Sequence, residues 1–231
     1  LHEIAEGIRI VRSDGVLRGL VAGTMGLAAM WGIFGATWML FVTRELGLNP
    51  AVIGVVAALG GFGSLAGALL TERIGGRFGL GRVMLVSLAV AAFGNLLIPL
   101  APVGMPLVAI ACLLGQQLIG DTAVTVFDVT EVSVRQARVG NRQLGRVNAT
   151  VRVAMVGAQL AGTLAGGVIA EIIGLRGAAF LAPVFALAGA AVMYLTPVRG
   201  LLALDGPGPA DIDGGDEAGG DDGPGADADA R

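Results

Sequence analysis

The chain has no lysine: all fifteen basic residues among its 231 are arginine. It has one histidine, His2, and one cysteine, Cys112. These absences exclude a P-loop lysine, a Schiff-base lysine and a histidine-rich metal cluster, and a lone cysteine permits no disulfide framework. Charge is scarce too. Charged residues make up 14% of the sequence, against roughly 25% in ordinary soluble domains. From Leu46 to Thr71 no side chain ionises, and from Val83 to Gly120 only the thiol of Cys112 does. A soluble domain of this size could not cover its surface with so few polar groups. What fills the sequence is apolar: 55% hydrophobic residues and 39 glycines, with a mean hydropathy of +0.79. Uncharged runs of about 20 residues match a bilayer core of roughly 30 Å at 1.5 Å per residue. The fold class expected is all-α, a polytopic helical membrane protein.

The order of segments divides the chain in three. Residues 1–18 place Leu1, Ile4, Ile8 and Val11 on one helical face, with Glu3, Glu6, Arg9 and Arg12 on the others. This is the pattern of an amphipathic helix lying in a membrane interface. No secretory leader is visible there. Residues 19–199 hold six apolar spans: Gly19–Thr43, about Pro50–Leu70, Val83–Ala101, Leu107 to about Phe127, Val147–Ala170 and Gly177–Val198. Residues 200–231 carry nine acids among Gly, Ala and Pro. They lack the apolar surface to fold, so a disordered acidic tail is expected. A chain that starts with Leu1 is expected to be part of a longer one.

The arginines sort by loop. With both ends cytoplasmic, the inner side receives Arg9, Arg12, Arg18, Arg73, Arg77, Arg82, Arg135, Arg138, Arg142, Arg146 and Arg199. The outer loops receive only Arg44 and Arg176. The positive-inside rule therefore puts both ends in the cytoplasm of a multi-pass cell-membrane protein. Asn49-Pro50-Ala51 is the triplet of six-span water channels, but it occurs once, at a loop edge. There it reads as a helix start, Asn49 as cap and Pro50 in the first turn.

ALLTERIGGR, residues 68 to 77, resembles the pattern G-x-L-A-D-R-x-G-R-R that follows the second span of each half of major facilitator superfamily transporters. Glu72 stands for the acid, Arg73 for the first base, Gly75 for the turn glycine and Arg77 for the last base. Ala68 and Gly76 depart from the pattern, as in a degraded C-terminal copy. EIAEGIRIVRSDGVLRGL, residues 3 to 20, is similar to the linker helix before the seventh span of bacterial multidrug and siderophore-type exporters. FDVTEVSVRQARVGNRQLGRVNATVR, residues 127 to 152, resembles their loop between spans ten and eleven, where Gly145 and Arg146 fall in the inner-gate signature L-G-R-V-N-A. The resemblance implies the C-terminal six-span half of a secondary transporter, a proton-coupled exporter of small amphipathic compounds working by alternating access; with no Lys, one terminal His and no paired catalytic set, neither enzyme activity nor a cofactor is expected. It implies as partners a small-molecule substrate, protons, membrane lipid and a missing N-terminal six-span half, with no nucleic acid.

Polar residues inside spans are the candidates for chemistry. Gln117, Asp121, Thr125 and Asp128 share a stripe of the fourth span. Asp121 lies about 21 Å in from the outer end at 1.5 Å per residue. Arg152, near the start of the fifth span, falls at a depth between the two aspartates, so a cluster Asp121–Arg152–Asp128 is expected, as a latch or as a proton-coupling site. Trp31 and Trp38, seven apart, share a face of the first span and either stack on a flat apolar substrate or pack against lipid. Gln159 is a weaker candidate of the same kind. Two rivals stand beside the transporter: a six-span permease subunit driven by a separate ATPase, which needs a cytoplasmic coupling helix, and a non-transporting scaffold, which needs no polar stripe.

Overall fold

The computed structural model describes residues 2–202, and every regular element among them is helical. Helix α1, His2–Ser13, is short. Asp14 ends it and starts the next: its Oδ1 accepts from the backbone N–H groups of Val16 at 2.7 Å and Leu17 at 3.4 Å. The amphipathic segment expected over 1–18 thus divides at this N-cap. Helix α2, Gly15–Leu40, runs on through a π-helical turn, Phe41–Glu45. Asn49 caps α3, Pro50–Phe78, by accepting from Ala51 N–H at 2.8 Å. The Asn-Pro-Ala triplet is a helix start, as expected.

Helix α4 is Leu80–Asn95, and α5, Leu97–Leu100, continues it after a break at Leu96. Helix α6 is Pro106–Arg138. Helix α7, Asn141–Tyr194, contains non-helical backbone at Gly174, φ 83° and ψ 165°. There the chain reverses. Before it, Gly162 lies against Ala29 and Gly166 against Ile33; after it, Gly189 lies against Ala22 and Gly26, and Met193 against Gly23. Residues 141–173 therefore run parallel to α2 and residues 175–194 antiparallel. Among the described residues five helical stretches are long and apolar enough to cross a bilayer, and this hairpin turns the last into two passes.

Glycines set the helix contacts. Gly162, Gly166 and Gly189 of α7 meet α2, and Gly60, Gly63 and Gly67 of α3 face α6. In lipid no hydrophobic force drives helices together, so close backbone approach and interhelical hydrogen bonds take its place. Thr122 Oγ1 supplies one such bond, donating to the Gly63 carbonyl at 2.8 Å.

Turns and charges gather the loops into two ends. At the arginine-rich end, Arg146 Nη1 pairs with Glu6 Oε1 at 2.7 Å and Arg138 Nε with Asp14 Oδ2 at 2.6 Å, tying α7 and α6 to the first two helices. At the far end Arg176 donates to Glu45 Oε2 and to the carbonyls of Pro99 and Ala101, and stacks on Phe41. One guanidinium there holds three segments together.

The stretch 71–82 is not a loop. Helix α3 continues to Phe78, so Glu72, Arg73 and Arg77 are exposed on its last two turns and Gly75 is a buried helical residue. The turn is the single residue Gly79, φ 81° and ψ 140°, a conformation in which a side chain is strained. Gly145 and Arg146 likewise lie in the first turns of α7, and the turn before them is Val139–Gly140. Gly79→Ala should cost about 1–3 kcal/mol. Gly76→Ala, in exposed helix with open space around it, should gain up to about 1 kcal/mol. Thermal melting in detergent ranks the two, and the reverse ranking would return the turn to Gly75–Gly76.

Candidate functional site

Trp31, Phe34 and Trp38 follow a 3-4 spacing, so α2 presents them as one stripe. Trp31 and Phe34 meet edge to face, centroids 6.3 Å apart. Opposite stand Gln116 and Gln117 of α6, Gln159 of α7 and Ile98 of α5. Together with Gly35 and Met39 they line a groove of about 520 Å³. Four of the residues expected to line a pathway, Trp31, Trp38, Gln117 and Gln159, are brought together here from three helices. No charged side chain lines the groove among the described residues. Its chemistry is aromatic faces and carboxamides, which suits a ligand with a flat apolar body and a few hydrogen-bonding groups.

The stripe on α6 continues from the groove toward the arginine-rich end. Gln117 Nε2 donates to the Val56 carbonyl of α3 at 3.3 Å. One turn on, Asp121 is half-buried and its Oδ1 accepts from Gln116 Nε2 at 3.3 Å. Gly60 makes room for this pair: a Cβ there would fall on the Gln117 amide and 3.0 Å from Asp121 Oδ2. Thr125 donates to the Asp121 carbonyl at 2.9 Å, and Asp128 is exposed. The spacing 117, 121, 125, 128 does form one face.

The expected cluster of Asp121, Arg152 and Asp128 does not form. Arg152 is exposed, and among the described residues no ion pair includes any of the three. The reason is packing: residues 141–173 lie along α2, whereas α6 packs on α3 and α4. Matching depth in two spans did not make them neighbours. Nor does Glu72 pair with Arg73 or Arg77 among the described residues.

Sequence reasoning passed over a buried ion pair. Glu131 Oε1 and Arg135 Nη1 lie 3.0 Å apart, their side chains 5% and 13% exposed. The signal was a Glu four residues before an Arg on a helix. Phe34 was also passed over as a groove residue, being hidden in an apolar helix, and Gln116, a polar residue of the fourth span, neighbours the stripe without sharing its spacing.

The fold and the groove define a polytopic helical membrane protein with a polar-aromatic recess between its helices. The chain belongs to the major facilitator superfamily, whose model matches residues 20–212. No curated protein matches the chain. Members of the family are membrane transporters that handle small molecules.

Proposed function

We propose that the chain is the C-terminal six-span half of a secondary active transporter, and that the complete protein exports small amphipathic compounds against a proton flux by alternating access. The groove of Trp31, Phe34, Trp38, Gln116, Gln117 and Gln159 carries this reading. It is open, and an N-terminal half facing it would close it into a midplane cavity between two repeats. The arginine-rich end is cytoplasmic, as are both chain ends, in the cell membrane. Asp121 is the coupling residue. It sits one turn beyond the groove, and a carboxyl whose surroundings change between two states changes its proton occupancy with them. Asp128 continues the proton path. Arg152 faces the missing half, and Glu72, Arg73, Gly75 and Arg77 at the end of α3, with Gly145 and Arg146 at the start of α7, form the inner gate.

The permease reading finds less support. The turns joining α3 to α4 and α6 to α7 are one and two residues long, too short for a coupling helix. The scaffold reading leaves the polar lining of the groove without a use.

Reconstitution tests the proposal. Residues 1–231 alone in liposomes should move no amphipathic dye on a proton gradient, because one wall of the cavity is absent. Co-reconstitution with the upstream half should restore dye movement, and a cysteine at position 142 should label from the cytoplasmic side only. Gradient-driven movement by the isolated chain as a monomer would sink the half-transporter reading.

A further inference from the structure

A second groove lies across α6 from the first. Leu118, Ile119, Thr122 and Val126 follow helical spacing on the face opposite Gln116 and Gln117. With Leu70, Ile74 and Phe78 of α3 and Val83, Val86 and Val90 of α4, they enclose about 660 Å³. Its length, from Arg82 to Val90 along α4, is about 12 Å at 1.5 Å per residue. Apart from Arg82 the walls offer no free side-chain hydrogen-bonding group: Ser87 Oγ donates to the Met84 carbonyl at 3.1 Å and Thr122 Oγ1 to Gly63. The one charged lining group is Arg82, at the arginine-rich end. Arg82 is exposed and, among the described residues, makes no ion pair. Arg77 is exposed too and makes no ion pair among the described residues; its guanidinium lies 5.7 Å from the ring of Phe78, which lines the groove.

We propose that this groove holds one acyl chain of an anionic phospholipid, with the headgroup phosphate on Arg82 and Arg77. The argument is complementarity along one axis. A dry apolar slot, with Val86 61% and Ile119 50% exposed, opens at membrane depth, where hydrocarbon is the available apolar partner. Two arginines mark the end where a headgroup would sit, and a guanidinium matches phosphate geometry in two hydrogen bonds. The only acid nearby in sequence is Glu72, which is exposed and does not line the groove. A zwitterionic headgroup offers the same phosphate but carries an ammonium into a positive site, so the anionic lipid is preferred. A bound lipid here would brace α3 and α4 on either side of the Gly79 turn.

Native mass spectrometry of the complete transporter, released from bilayers of phosphatidylcholine and phosphatidylglycerol, tests this. The wild type should retain one phosphatidylglycerol with a preference of about fivefold for each contacting arginine. Val86→Trp, which fills the slot, should lose that lipid. Arg82→Gln should keep a lipid but lose about fivefold in preference. Melting temperatures in phosphatidylcholine alone check that each variant is folded, and Val90→Phe replaces Val86→Trp if the latter is not. Retention of phosphatidylglycerol by a folded slot-filling variant, or an undiminished preference in Arg82→Gln, would overturn the proposal. So would inorganic phosphate stabilising the protein as well as the lipid does, or a wild-type transporter that retains no lipid because protein covers the slot.

Discussion

Asp121→Asn in the complete transporter is expected to abolish transport driven by a proton gradient while leaving substrate exchange in place. The substitution keeps the volume of the side chain beside Gly60, and its amide oxygen can still accept from Gln116 Nε2. The fold should therefore survive. On the proposed reading, what is lost is the ability to take up and release a proton, and with it the link between the gradient and the conformational cycle. Exchange of labelled for unlabelled substrate needs no net proton movement and should continue near the wild-type rate. A charge swap between Asp121 and Arg152 should rescue nothing, since the two make no ion pair. Wild-type concentrative transport by the Asn variant would remove Asp121 from the coupling scheme.

Gly162→Leu is expected to prevent assembly of the helix bundle. A Cβ at this position would meet the Ala29 carbonyl oxygen, and would lie 2.9 Å from Ala29 Cα. Those are backbone atoms of α2, so relief requires moving the whole helix. The cost should exceed the roughly 1–3 kcal/mol usual for an overpacked core, because the α2–α7 contact is the most extensive in the protein. Gly167→Leu is the matched control. It is helical, exposed and has nothing near its Cβ position, so its stability should change by within about 0.5 kcal/mol. Fluorescence-detected size exclusion in detergent reads both. A monodisperse Gly162→Leu protein of wild-type melting temperature would mean that α2 and residues 141–173 do not pack as described.

Much of the architecture was legible in the sequence because the bilayer imposes a simple rule. Backbone groups in hydrocarbon must bond internally, so every long uncharged run becomes a helix. Asn49-Pro50 and the charge-flanked spans could be read from that rule and from cap chemistry. Helix ends could not. Nothing in Thr71–Phe78 distinguishes a polar loop from the last polar turns of a helix that emerges from the bilayer. Gly75, Gly76 and Gly79 were equivalent as letters, and only Gly79 adopts positive φ. Arg152 shows the same limit at the level of packing. Depth along a span follows from counting residues, but which helix a residue faces depends on the bundle. The groove fared better, since Trp31 and Trp38 share a helical face whatever surrounds them.

The central claim is that one face of α6 belongs to a water-accessible transport cavity and the opposite face to lipid. Gln117 and Leu118 are consecutive residues on either side of that divide. In a Cys112→Ala background, Gln117→Cys and Leu118→Cys should be compared in the complete transporter in native membranes, using a water-soluble maleimide with and without a proton gradient. The cysteine at 117 should react, at a rate that changes with the gradient, and the cysteine at 118 should stay unlabelled. Labelling at 118 with protection at 117 would contradict the account.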